Sequence, residues 1–359
     1  MQYDVSRPKL NGGDILVRDG YFVHFISPEN LPPINKNIVF VIDQSGSMSW
    51  YSRMDRLKIA FQDIINDLNE GDNFQIVGFA WEASTIYSSF QPVNSATKAD
   101  AISRVSSMGA YGATNISGAM SLALDQRAGN NAANIIVFLT DGFPTAGERN
   151  WARIRDGVLR ENDQNYAIFS LAIGSGAPYA DMERMSTLNN GIARQIFDSV
   201  DVPTQIEDFY NGVASPLVWN AKIAYRKAKK VIISNPNMFV GQEMVIMGKL
   251  DDPCVAPEPI CNSDLLVNEN GFCSSVTDVS IDCDPRPTVT PYDPNDQTRD
   301  KMDNPKIPLD SDIDLEKYYN YLEMQGWLAI YKVNWWKYLR KNSKRQKKSK
   351  NYKKMSTKR

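Results

Sequence analysis

The sequence predicts an α/β fold, a doubly wound and mostly parallel sheet, and three observations carry that expectation. Ile38-Val39-Phe40-Val41-Ile42, Ile135–Leu139 and Ala167–Ile173 are near-continuous apolar, β-branched runs. A strand covered on both faces needs such a run, whereas a half-exposed strand alternates apolar with polar. Helix-period segments separate the runs, and the alternation persists across residues 38–213 with no internal repeat.

The elements follow in order. After the first strand, Met54, Leu57, Phe61, Ile64, Ile65 and Leu68 fall on one face of a helix. Phe74–Phe79 reads as a strand, and Trp81–Phe90 as a strand crossing back at the sheet edge. Residues 97–108 and 116–125 read as helices, as do Tyr179–Leu188 and Gln205–Val213. Past Pro216 the pattern changes. Ala221–Tyr225, Lys230–Ser234 and Glu243–Lys249 read as short strands separated by Asn/Pro and Gly turns, a small β unit. Residues 251–316 hold nine of the nineteen prolines without clear periodicity, so a largely irregular connector is expected. Leu315–Leu339 is an aromatic-rich helix, and a low-complexity basic tail follows it. The expected boundaries are 36–217 for the α/β domain, 218–250 for the β unit, 251–316 for the connector and 317–359 for helix and tail.

Charge supports this division. The formal net charge of the 359 residues is -2, yet 251–316 contains sixteen Asp/Glu against four Lys/Arg, and 337–359 contains twelve Lys/Arg and no acid. A hydrophobic content of 42% with 10% aromatics excludes a chain disordered throughout. No run approaches the ~18 apolar residues of a membrane span, so no transmembrane segment is expected. The opening Met1-Gln2-Tyr3-Asp4 lacks the basic and then apolar pattern of a signal peptide. Lys344, Arg345, Lys347 and Lys348 are candidates for binding a polyanion such as a glycosaminoglycan, with no specific nucleic acid implied; a solvated tail is the alternative.

His24 is the single histidine, which removes His-paired nucleophilic catalysis and most zinc chemistry, and the chain is read as no enzyme. On its apolar strand His24 is expected to be a satisfied core residue. Cys254, Cys261, Cys273 and Cys283 cluster inside the connector, in a Pro-rich context and without CxxC spacing. That pattern favours disulfides, with three possible pairings, over a zinc site. Asn115-Ile116-Ser117 is a glycosylation sequon, but its position beside Thr114 points to a packed loop.

The most informative residues stand at the carboxyl ends of the apolar strands, where open α/β sheets place ligands. The first strand runs into Asp43-Gln44-Ser45-Gly46-Ser47-Met48, which offers one carboxylate and two hydroxyls at alternate positions. Asp141 follows the strand Ile135–Leu139, and Thr114 in Gly112-Ala113-Thr114-Asn115 adds a hydroxyl from a loop before a helix. Hard oxygens with only two carboxylates suit Mg²⁺, with Ca²⁺ or Mn²⁺ as alternatives, and leave the cation able to take a carboxylate from outside. The helix starting beyond Ser47 is expected to add its positive dipole end. Asp and Ser after a strand are often only helix N-caps; three loops with complementary oxygens argue against that. A nucleotide site is not supported, since the chain has neither G-x-x-x-x-G-K-[ST] nor a G-x-G-x-x-G after a strand.

Asp43-x-Ser45-x-Ser47 with Thr114 and Asp141 resembles the metal-ion-dependent adhesion site of von Willebrand factor type A domains. The surroundings resemble the inter-alpha-trypsin inhibitor heavy chains in particular: Tyr21-Phe22-Val23-His24-Phe25, Pro28, Asn30-Leu31-Pro32, Lys36–Asp43, Leu139–Thr145, Asn189–Arg194 and Asp208-Phe209-Tyr210 leading to Pro216-Leu217. By that resemblance residues 1–35 are the end of a truncated N-terminal VIT-like domain. The chain is then expected to be a secreted, non-enzymatic, matrix-associated protein that binds the Asp or Glu of a protein ligand through its metal. Family members associate with hyaluronan through an ester at an Asp released before Pro-His-Phe. Here Asp284-Pro285-Arg286 and Asp293-Pro294-Asn295 lack the following His, so covalent transfer is not expected. The competing expectation is an intracellular VIT and type A scaffold, which would keep its four cysteines as free thiols.

Overall fold

The computed structural model describes residues 14–18, 20–26, 31–130, 132–221, 223–252, 257–260 and 279–282. The four cysteines, the helix expected at Leu315–Leu339 and the basic tail lie outside the described residues.

Two strands open the described chain, β1 (Asp14–Arg18) and β2 (Tyr21–Ile26), and β3 (Lys36–Asp43) follows. A 3₁₀ turn, Gly46–Ser52, precedes α1 (Arg53–Asp67). Then come β4 (Asn73–Phe79), β5 (Ala83–Thr85), β6 (Gln91–Pro92), α2 (Ser95–Ser106) and α3 (Ile116–Leu124). The α/β alternation continues through β7 (Ala133–Thr140), α4 (Trp151–Glu161), β8 (Ala167–Ile173), α5 (Tyr179–Leu188), β9 (Ala193–Ile196) and α6 (Val202–Asn211). Short strands complete the order: β10 (Pro216–Val218), β11 (Ala224–Arg226), β12 (Ala228–Ile233), β13 (Met238–Phe239), β14 (Met244–Leu250), β15 (Glu258–Ile260) and β16 (Val279–Asp282).

The main sheet has the order β5-β4-β3-β7-β8-β9, with β6 also paired to β4. Pairings from β4 across to β9 are parallel, and only the short β5 and β6 run antiparallel, as in a doubly wound sheet with an antiparallel edge. Every residue of β3 and β8 is buried, which is why they are mostly apolar and why their polar residues Lys36, Asn37, Asp43 and Ser170 are hydrogen-bonded. The period of two sorts each strand between two cores. Ile38, Phe40 and Ile42 face α1, α2 and α6, while Val39 and Val41 face α3, α4 and α5.

β3 lies between β4 and β7, although β4 alone follows it directly in the chain. The connections leaving its carboxyl end and that of β7 therefore diverge, and the crevice between them is where such sheets hold ligands. The edge strand expected over Trp81–Phe90 is realised only as the three-residue β5 and the two-residue β6. Helix α4 and strand β9 add to the reading from sequence. The connector also contains two described strands: β15 pairs with β11, and β16 pairs in parallel with β1.

A second sheet has the order β12-β14-β2-β1-β16. It joins segments from both sides of the α/β domain, because β14 pairs antiparallel with β2 from Met244↔Ile26 to Lys249↔Tyr21. His24 is 2% exposed in this sheet, with its Nδ1 2.6 Å from the Tyr225 hydroxyl, the expected satisfied core histidine. Among the described residues no helix is long and apolar enough to cross a membrane.

Candidate metal centre

The geometry begins with Asp43, the last residue of β3 and fully buried. Its Oδ1 accepts the Ser45 backbone N–H at 2.7 Å, and its Oδ2 accepts the Thr140 hydroxyl at 2.5 Å from the end of the neighbouring strand. Burial raises the Asp43 carboxyl from 3.8 to about 6, with the hydrogen bonds from Thr140 and Ser45 opposing the shift. These bonds turn the chain so that Ser45 and Ser47 face the same space. Their hydroxyl oxygens lie 3.1 Å apart, and Ser47 Oγ donates to Asp141 Oδ1 at 2.6 Å.

The loop before α3 brings Thr114 to the same place. Gly46 N–H donates to the Gly112 carbonyl at 3.1 Å, and Tyr111 N–H donates to the Gln44 carbonyl at 2.6 Å. The backbone of Thr114 is held by Thr145 from the other side, N–H to Oγ1 at 2.9 Å and carbonyl from N–H at 3.0 Å. A methyl group built on Gly142 would lie 3.6 Å from Ser47 Oγ and 3.9 Å from Thr114 Oγ1. The glycine therefore leaves open the space that these two hydroxyls face. All five expected oxygen donors are thus brought together, and Asp43, Ser45, Thr114 and Asp141 are at most 4% exposed. Two carboxylates and three hydroxyls in a cradle that a Cβ would fill fit a hard divalent cation with open positions.

The helix-cap explanation of these residues fails. Ser45 makes no side-chain cap bond, and Asp43 is still within the strand. The helix expected beyond Ser47 lies further along the chain. Residues Gly46–Ser52 form a 3₁₀ turn broken by extended Trp50 and left-handed Tyr51 and Ser52, so the α-helix begins only at Arg53. Three consecutive non-helical residues stop the helix from starting at Ser47.

Arg53 is the functional neighbour that sequence reasoning missed. Its Nη1 donates to Asp141 Oδ2 at 2.7 Å, and its Nε and Nη2 grip both oxygens of Asp198 at 2.8 and 2.5 Å. The Asp198 hydrogen bonds, and secondarily the Asp141 ones, raise the guanidinium pKa, and Arg53 holds the Asp198 carboxyl below its ordinary value. Thr140 was also missed, although it stands beside Asp141. Its small β-branched side chain at the end of an apolar strand looked like strand filler. Asn115 of the sequon is packed: its Oδ1 accepts Gly118 N–H at 3.0 Å as the cap of α3, and its Nδ2 donates to the Trp81 carbonyl at 3.0 Å.

The von Willebrand factor type A domain matches residues 37–212. Inter-alpha-trypsin inhibitor heavy chain 4 from Mus musculus is 35% identical over 263 residues, covering 70% of this chain and 28% of that protein. Heavy chain H2 from Mus musculus is 36% identical over 262 residues, with the same shares covered. This chain therefore spans under a third of the length of these relatives. Among solved structures, a von Willebrand factor type A protein from Catenulispora acidiphila superposes with a TM-score of 0.52 at 17% identity, over 67% of this chain and 64% of that one. That likeness concerns the fold alone.

Proposed function

The chain is a relative of the inter-alpha-trypsin inhibitor heavy chains, and its residues 37–212 are a von Willebrand factor type A domain, a protein-binding module; from this premise we propose that it binds its partner through a divalent cation. Asp43, Ser45, Ser47, Thr114 and Asp141 would hold the cation, Mg²⁺ in first place and Ca²⁺ or Mn²⁺ as alternatives. The observation that carries this reading is the convergence of three loops on one pair of hydroxyls, Ser45 and Ser47, with Asp141 hydrogen-bonded to the second and Gly142 leaving the space clear. Both oxygens of Asp43 already accept protein donors, so Asp43 supplies charge from behind and reaches the cation through water. The open positions then take an Asp or Glu carboxylate from a partner. The chemistry this arrangement offers is binding.

The relationship to the heavy chains supports, within this proposal, an extracellular setting and a matrix role alongside hyaluronan. The intracellular scaffold is the competing setting, and a thiol count on the unreduced protein decides between them: no free thiol for the extracellular form, four for the other. For the site itself the test is Asp43→Ala. Mg²⁺ is expected to raise the melting temperature of the unaltered chain and to leave that of the variant unchanged. Equal melting with and without Mg²⁺ in both proteins would sink the metal reading.

A further inference from the structure

Six aromatic side chains are more than half exposed among the described residues, and all six stand on loops at the end of the sheet that carries the site. Trp50 (64%) and Tyr51 (68%) lie three and four residues after Ser47; Trp81 (64%) follows β4; Tyr111 (60%) precedes Thr114; Phe143 (57%) lies two residues after Asp141; and Phe197 (61%) follows β9, beside Asp198. Single exposed apolar residues scattered over a surface are ordinary, but this concentration at one end is not. The rings are tied to the site. The Arg53 guanidinium that holds Asp141 lies 5.4 Å from the centre of the Tyr51 ring. The Trp81 ring packs so closely on Gly112 that a methyl there would meet it at 2.6 Å, and the Gly112 carbonyl holds Gly46 between the two site serines.

Charge selects the occupant. Residues 44–52, 80–82, 107–115, 141–150 and 197–201 together contain five acids (Glu82, Asp141, Glu148, Asp198 and Asp201) against a single base, Arg149. Of the α1 arginines beside these loops, Arg53 is buried and committed to Asp141 and Asp198, and the half-buried Arg56 donates its Nη1 to the Ser199 carbonyl. Outside the metal, a polyanion laid across this end would meet more negative charge than positive. A single carboxylate set among uncharged apolar side chains meets the metal at its centre and rings around it, the combination in which Trp and Tyr contribute most to binding.

We propose that this aromatic collar recognises a protein loop bearing one acidic residue flanked by apolar side chains, the acid reaching the metal and its neighbours packing on the rings. The proposal rests on the metal reading above, and its test separates the two. A display library of disulfide-closed peptides with a fixed central Asp is selected on the full chain, with Mg²⁺ and with EDTA in parallel, and a hyaluronan oligosaccharide is titrated as the polyanionic probe. Enrichment of apolar and aromatic flanks in Mg²⁺ only is expected. The selected peptide should bind Trp50→Ser and Phe143→Ser at least about tenfold more weakly, the size of loss at an interface anchor, while Mg²⁺ still raises the melting temperature of each variant as it does for the unaltered chain. Acidic flanks, no enrichment over the EDTA arm, tighter binding of the oligosaccharide than of the peptide, or unweakened binding by the variants each overturns the collar while a Mg²⁺ response in the unaltered chain leaves the site standing. No Mg²⁺ response in the unaltered chain overturns the site, and the collar with it.

Discussion

Replacing Arg53 by Met should destabilise the metal-free protein and enlarge its response to Mg²⁺. The side chain is 8% exposed and faces Asp141, which is fully buried, and Asp198, which is 18% exposed. Met keeps much of the volume but removes three charged hydrogen bonds. Asp141 is then left with the Ser47 hydroxyl on one oxygen and no donor from Arg53 on the other. Removing one partner of a buried pair costs about 3–5 kcal/mol, and because Asp198 can regain water the lower end applies, about 3 kcal/mol. In a domain of this size that is a fall of roughly 6–12 °C in melting temperature. With the guanidinium gone, a divalent cation becomes the remaining source of positive charge beside Asp141, so saturating Mg²⁺ should raise the melting temperature of the variant more than that of the unaltered chain. Scanning calorimetry on both proteins, in EDTA and in Mg²⁺, measures all four values. A variant melting in EDTA within about 2 °C of the unaltered chain, or a Mg²⁺ response smaller than the unaltered one, would refute the reasoning. Arg53→Lys retains a charge but not the fork that spans two carboxylates, and should fall between the two.

Three further outcomes are expected. The Asp43 carboxyl titrates near 6 in the metal-free fold, above its ordinary 3.8, so the folded state binds this proton more tightly than the unfolded chain does. Its contribution to metal-free stability therefore rises as pH falls from 6 toward 3.8, while cation affinity falls over the same window; the Mg²⁺-linked gain in melting temperature should shrink between about pH 7 and about pH 5, and an unchanged gain counts against Asp43 as the charge behind the metal. Gly142→Ala should fold, since its methyl meets Ser47 and Thr114 only at ordinary contact distances, but it fills the cradle and should weaken Mg²⁺ binding at least about tenfold by titration calorimetry; unaltered affinity would contradict the cradle. Gly191→Ala would put a methyl 2.0 Å from the Ile168 carbonyl of β8, and a loss of about 3 kcal/mol or more in urea unfolding is expected, with a loss under about 1 kcal/mol refuting that packing.

What the sequence determined by itself was whatever local chemistry constrains. β3, β7 and β8 were legible because a strand buried on both faces is apolar along most of its length, and that leaves a near-continuous run. The face of α1 was legible because Met54, Leu57, Phe61, Ile64 and Ile65 repeat at the helical period. The set Asp43, Ser45 and Ser47 was legible because one short loop carries it. Helix α4 escaped because its buried residues Trp151, Ile154 and Val158 stand among charges, with Gly157 inside the helix. β9 escaped because it is only four residues long and buries just Ile196 completely, with Arg194 exposed.

Tertiary structure alone decided three things. The sheet that pairs Tyr21–Ile26 with Met244–Leu250 closes across more than the whole α/β domain, and strand pairing at that separation has no local signature. Arg53 reads in sequence as a solvated charge at a helix start; only the fold brings it Asp141, 88 residues away, and Asp198, 145 residues away. The same holds for the collar of rings, whose members lie in separate loops and become one surface only because parallel strands end together. Spacing along the chain records what one turn or one strand must satisfy. Charges and surfaces assembled from distant loops are recorded only in the packing that brings those loops together.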